Sequence, residues 1–205
     1  MKGILTAGGL SRRMGQKKAW LEWGGQPMIL HLHRLLTAVC EDVVVVANDP
    51  DDERRLRESG LRTVRDVYAG QGPLAGLHAG LSAGFPALRE EEAVCLVGCD
   101  LPFLRGEVLQ DLERELMLDA KVQAAVPRLS DKIHPVCAVY RADVREIAAA
   151  LLQNEENRMR RFLEAVRTKY VEATEWERHA PSPFANVNTP DDYREACILW
   201  KKEGF

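Results

Sequence analysis

No CxxC pair, no run of roughly 18 apolar residues and no strong basic surplus occur in this 205-residue chain. Each absence removes a class of protein. The five cysteines, Cys40, Cys95, Cys99, Cys137 and Cys197, are odd in number, and most lie in apolar runs such as Ala93-Val94-Cys95-Leu96-Val97. They read as small buried hydrophobes of a reducing compartment, neither a disulfide framework nor a zinc site. The apolar start Gly3-Ile4-Leu5-Thr6-Ala7 is too short for a secretory core, so a cytoplasmic protein with no membrane partner is expected. With 28 Lys and Arg against 31 Asp and Glu, the formal charge is -3, which argues against a general nucleic-acid binder. Aromatic residues make up only 6%, and Trp20, Trp23, Trp176 and Trp200 read as packing groups, not base-stacking platforms. Also missing are the GxGxxG of dinucleotide-dependent oxidoreductases and the GK[ST] ending of a P-loop.

What is present is an α/β alternation. Lys2 to Thr6 is a short apolar run entering Gly8-Gly9, and Val43 to Ala47 is β-branched and apolar on both faces, as strands covered on both sides are. Ala93–Val97 is a third such run. Strands are also expected at Leu61–Arg65, Val122–Val126 and Val136–Tyr140. Between them, Met28, Leu32, Leu35, Leu36 and Val39 fall on one helical face behind Pro27, and Val108, Leu109, Leu112 and Leu116 on another. Further helices are expected over 51–59, 73–83, 143–153, 158–166 and 190–202, with a long loop from Thr174 to Phe184. The fold class is therefore α/β: a three-layer, Rossmann-like open sheet, mostly parallel, with helices on both faces. Residues 1–205 are expected to form a single domain, since 46% hydrophobic content suits one substantial core.

Two segments carry the chemistry. The first is Leu5-Thr6-Ala7-Gly8-Gly9-Leu10-Ser11-Arg12-Arg13-Met14-Gly15-Gln16-Lys17-Lys18. Adjacent glycines let backbone amides cradle phosphate oxygens, and Arg13 and Lys18 supply the charge a triphosphate needs. The alternative is a surface turn whose glycines serve geometry alone. The second is Val97-Gly98-Cys99-Asp100-Leu101-Pro102, which delivers a carboxylate where a strand ends. Ligands of open α/β sheets bind there, and Asp100 is well placed to hold Mg²⁺ against phosphates. Capping the next helix is the competing role for Asp100.

These segments, with Gly72-Pro73-Leu74-Ala75-Gly76-Leu77, His134-Pro135-Val136 and Phe184-Ala185-Asn186-Val187-Asn188-Thr189-Pro190-Asp191, occur in an order that resembles the molybdenum cofactor guanylyltransferases of the nucleotidyltransferase superfamily. The resemblance runs from about residue 4 to 193. It implies that Thr6, Ala7, Gly8 and Gly9 line the nucleotide, with Lys18 on its phosphates. Asn48 and Asp66 would meet base and ribose, Asp100 would ligate Mg²⁺, and Asn186 and Asn188 would face the acceptor. The N-terminal half would then bind nucleotide and the C-terminal half the acceptor. One departure stands out: where the family usually reads Gly-x-Asp-Lys, this chain has Gly15-Gln16-Lys17-Lys18.

The resemblance further implies GTP and molybdopterin as substrates, with transient contact to proteins of molybdenum-cofactor biosynthesis or delivery. The terminal phosphate of molybdopterin would attack the α-phosphorus of GTP, with Arg13, Lys18 and Asp100 as the catalytic groups. Three rivals remain: a cytidylyl or sugar-phosphate nucleotidyltransferase, a dinucleotide-dependent oxidoreductase, and a non-catalytic nucleotide- or cofactor-binding protein. Outside the motifs, His134 reads as a loop histidine bonded to backbone, with acid–base catalysis the lesser alternative. Arg158, Arg160 and Arg161 form either a solvated helix face or a seat for the anionic acceptor.

Overall fold

The computed structural model describes residues 1–7, 17–68 and 70–203; Gly8, Gly9 and Arg13, expected at the phosphates, lie outside the described residues. After β1 (Lys2–Thr6) come a 3-10 turn, Lys18–Trp20, and a small hairpin of β2 (Glu22–Trp23) and β3 (Gln26–Pro27). Then follow α1 (Met28–Thr37), β4 (Val43–Ala47), α2 (Pro50–Glu58), β5 (Thr63–Arg65) and α3 (Gly72–Ala79), which runs on into a π-helical turn, Gly80–Gly84. The remainder is β6 (Ala93–Gly98), α4 (Gly106–Met117), β7 (Ala124–Leu129), β8 (Lys132–Ile133), β9 (Cys137–Arg141), α5 (Val144–Gln153), α6 (Met159–Ala165), β10 (Thr168–Glu172), α7 (Thr174–Glu177) and α8 (Pro190–Glu203).

Among the described residues the main sheet runs β10-β7-β9-β6-β1-β4-β5, with β8 folded back on β7. β5, β4, β1 and β6 are mutually parallel, β9 runs against both of its neighbours, and β10 is parallel to β7. The period of two along each strand divides the core between the two faces. Leu5, Val43, Val45, Cys95 and Val97 meet α1, α2 and α4 on one side. Ile4, Val44, Val46, Val94 and Leu96 meet α3, α5 and α6 on the other. This is the expected three-layer arrangement.

The chain leaves β1 for β4 on one side, and returns from β5 through α3 to β6 on the other. The direction of winding therefore changes beside β1, which opens a crevice at the carboxyl ends of β1 and β6. Gly76 makes the helix wall of that crevice close. A Cβ there would come within 2.7 Å of Thr6 Cγ2, so only glycine lets α3 lie on the end of β1.

Candidate active site at the carboxyl ends of the strands

Asp100 stands two residues beyond β6, tied into the sheet by its neighbours. The Cys99 amide donates to the Thr6 carbonyl at 3.1 Å, and the Asp100 carbonyl accepts the Val187 amide at 2.9 Å. Gly98 makes room for the carboxylate: a Cβ there would sit 2.8 Å from Asp100 Oδ1. Asp100 does not cap the next helix, because the N-cap of α4 is Arg105. That removes the competing role and leaves a partly exposed carboxylate facing the crevice.

Lys18 joins the two ends of the chain at this point. Its Nζ donates to Asn188 Oδ1 at 2.6 Å and lies 3.6 Å from Asp100 Oδ2. Three residues expected at the site, Lys18, Asp100 and Asn188, are thus brought together although 170 positions separate the first from the last. Asn188 is not the cap of α8. Thr189 Oγ1 accepts the Asp192 amide at 3.1 Å, while Asp192 Oδ2 accepts the amides of Asn188 and Thr189 at 2.8 and 2.9 Å. This is a reciprocal capping box, and it leaves the Asn188 side chain for Lys18. Val187 is buried between the two asparagines, and Asn186 Oδ1 is buried with no hydrogen-bond partner among the described residues.

The four residues expected on the nucleotide side lie at the ends of three strands. Thr6 and Ala7 end β1, Asn48 follows β4, and Asp66 follows β5. The Thr6 hydroxyl donates to the Val97 carbonyl at 3.3 Å and the Ala7 amide to Val46 at 3.0 Å, so both are anchored to neighbouring strands. Asp66 is buried, and burial pushes its carboxyl above the usual carboxylate range despite the Tyr68 amide that it accepts at 2.8 Å.

Residues 3–172 match the MobA-like NTP transferase domain. The chain belongs to the MobA-like NTP transferase family. A probable molybdenum cofactor guanylyltransferase of Pelotomaculum thermopropionicum is 36% identical over 202 residues, covering 96% of this chain and 92% of the relative. One from Bacillus cytotoxicus is 30% identical, covering 98% of each. The crystal structure of molybdopterin-guanine dinucleotide biosynthesis protein A from Archaeoglobus fulgidus superposes with a TM-score of 0.84 at 24% identity, over 98% of this chain and 100% of that one.

In this MobA-like transferase the donor set at Asp100 fits a magnesium ion. No cluster of three or more His, Cys, Asp or Glu side chains that could hold a metal occurs among the described residues. A lone carboxylate is nevertheless what Mg²⁺ uses when substrate phosphates and waters fill its other positions. At the opposite end of the sheet, Glu41, Glu91, Glu92 and Glu113 line a second cleft together with Lys2 and Arg89, and the Met1 ammonium lies 3.0 Å from Glu113.

The His134 ring stacks on Phe184 with centroids 4.4 Å apart, and its Nε2 is buried without a partner, so the backbone bonds run through its main chain and not through that nitrogen. Burial, helped by Lys132, lowers its pKa to about 4, which keeps it neutral at pH 7 and unsuited to general acid catalysis. Arg158, Arg160 and Arg161 are all exposed at the start of α6, with Arg158 and Arg161 paired to Glu156 and Glu164. Lys17, at the position where the family is usually acidic, forms ion pairs with Asp49 and Asp52. Those pairs, and the clearance that Gly76 and Gly98 provide, were not foreseen from sequence. Asp49-Pro50 is an N-cap signature that marks the start of α2, but nothing local shows what α2 faces.

Proposed function

We propose that this MobA-like NTP transferase transfers GMP from GTP to the terminal phosphate of molybdopterin, releasing pyrophosphate and forming a molybdopterin guanine dinucleotide. Residues 1–205 act as one domain, nucleotide on the N-terminal side and acceptor on the C-terminal side. The observation that carries this reading is Lys18 lying between Asp100 and Asn188. A cation there stands where the nucleotide phosphates and the acceptor phosphate must meet.

A new bond forms between an acceptor phosphate oxygen and the α-phosphorus, while the bond from that phosphorus to the β-phosphate oxygen breaks and pyrophosphate leaves with its electron pair. Both reactants are anions, so repulsion and positioning are the main obstacles. Lys18 and Arg13 lower the repulsion, and Gly8 and Gly9 offer amides to the phosphates. Thr6 and Ala7 form the floor beneath the nucleotide, with Asn48 and Asp66 at base and ribose. Mg²⁺ held by Asp100 would supply charge neutralisation for the transferring and leaving oxygens. Asn186 and Asn188 orient the acceptor, from a segment seated by the buried Val187 between them. The five cysteines, none of them in a disulfide, suit a reducing cytoplasm.

The test is incubation with each NTP in turn, Mg²⁺ and molybdopterin, followed by mass spectrometry of the pterin product. A guanine dinucleotide formed in preference to the others supports the assignment. A cytosine dinucleotide formed preferentially would move the chain to cytidylyl transfer, and no dinucleotide with any NTP would refute catalysis.

A further inference from the structure

The lysine preceding Lys18 is held by two carboxylates. Lys17 Nζ lies 2.6 Å from Asp49 Oδ2 and 2.9 Å from Asp52 Oδ2. Both acids belong to the amino end of α2: Asp49 is the N-cap and accepts the Asp52 amide at 2.9 Å. The Asp52 side chain is only 6% exposed, and its other oxygen accepts Trp20 Nε1 at 3.0 Å. Arg55, one turn along α2, covers the Trp20 ring at 3.8 Å from its centroid. Trp20 ends the 3-10 turn that Lys18 begins. One buried carboxylate therefore grips this turn from both sides, through Lys17 and through Trp20.

We propose that Lys17 is a positioning residue: with Asp49 and Asp52 it forms a clasp that anchors the downstream end of the glycine loop to α2 and so aims Lys18 at the transferring phosphates. The inference rests on the proposed function. Lys17 does not serve as a second phosphate ligand, because moving it away would strip a buried carboxylate of its cation. The clasp also bridges two parts of the site, since Asp49 directly follows Asn48. The charge required at position 17 is accordingly set by α2. An aspartate there would place a third carboxylate against Asp49 and Asp52, where like charges repel.

Calorimetric titration of the full-length protein with GTP and with guanosine, for wild type, Lys17→Arg, Lys17→Met and Lys17→Asp, tests this. Lys17→Arg retains the wild-type preference for GTP over guanosine. Lys17→Met weakens GTP about tenfold with guanosine unchanged, and Lys17→Asp weakens it further. The turnover of Lys17→Asp falls by roughly a hundredfold, as a misplaced cation about 1 Å off would dictate. Asp49→Asn gives a second route that preserves folding, because asparagine caps a helix as well as aspartate does. It should move GTP affinity in the same direction by less. Equal losses for GTP and guanosine in Lys17→Met, or wild-type GTP binding by Lys17→Asp, would overturn the clasp. If wild type prefers another NTP, the guanylyl reading fails instead, and the same ratios are then read with that NTP and its nucleoside.

Discussion

The proposed nucleotide side and the proposed acceptor side of this site are built differently. On the nucleotide side Thr6, Asn48, Asp66 and Asp100 sit at or just beyond strand ends whose register is fixed on neighbouring strands. Thr6 lies opposite both Val46 and Gly98, and Ala47 opposite Arg65. Displacing one of them would mean slipping a strand, which exchanges its two faces and exposes core residues. The proposed acceptor side draws on residues 178–189, which form neither helix nor strand. That strap is seated by buried Phe184 and Val187, by the Val187–Asp100 backbone bond and by the Lys18–Asn188 contact. A sheet holds one end by cooperative pairing; a few separable contacts hold the other. Substitutions on the two sides should therefore fail in different ways.

The largest effect is expected at Asp100, where both sides meet. Asp100→Asn should lower turnover by roughly a hundredfold or more with an unchanged melting temperature, because the group lost is electrostatic and α4 is capped elsewhere. Steady-state rates across a Mg²⁺ series would check it, and near wild-type rates would strip Asp100 of its role. Lys18→Ala comes next, since it touches both sides at once. Isothermal titration should show GTP weakened by about 1.5–3 kcal/mol, or one to two decades, with guanosine spared. The Michaelis constant for molybdopterin should rise in the same variant as Asn188 loses its donor. Equal losses for GTP and guanosine would mean that the lysine supports the loop.

A smaller effect separates structure from recognition within the strap. Thr189→Ala should cost about 1 kcal/mol of stability through the lost cap, while Asn188→Ala keeps its melting temperature and raises the Michaelis constant for molybdopterin. The reverse pattern in thermal melts and kinetics would make Asn188 the cap and remove it from the site. The smallest effect concerns the stack beneath the strap. His134 has a folded pKa near 4, below the roughly 6.5 of an unfolded histidine. Protons therefore bind the unfolded chain more readily between those values, and this contribution to stability is lost as pH falls through that window. Between pH 7 and 6 the loss should be under about 1 kcal/mol. His134→Phe should flatten that part of the urea-unfolding profile, and an unchanged slope would contradict the assignment to this ring.

The strand Thr168–Glu172 was not visible in the sequence, because it lies at the sheet edge and mixes Lys169 and Glu172 with Tyr170 and Val171. An edge strand needs no continuous apolar run, and without one local pattern has nothing to mark. The loop expected from Thr174 to Phe184 begins instead with a short helix, α7, whose four residues are too few to show a helical period. The reversed direction of β9 was equally hidden, since an apolar strand reads alike whichever way it runs.

Local pattern by itself determined the elements whose chemistry is local. Val43–Ala47 and Ala93–Val97, short, apolar throughout and rich in valine, read as strands covered on both faces, and a carboxylate placed just after the second falls where open sheets bind ligands. It also gave the basic glycine loop and the order of the motifs. Only the tertiary structure decided that Lys18 meets Asn188 across 170 positions, that Thr189 and not Asn188 caps α8, and that Lys17 faces two acids on α2. Contacts of that kind depend on strand order and on which helix covers which strand end. Those are properties of the whole packed chain, so no window of sequence around any one of these residues contains them.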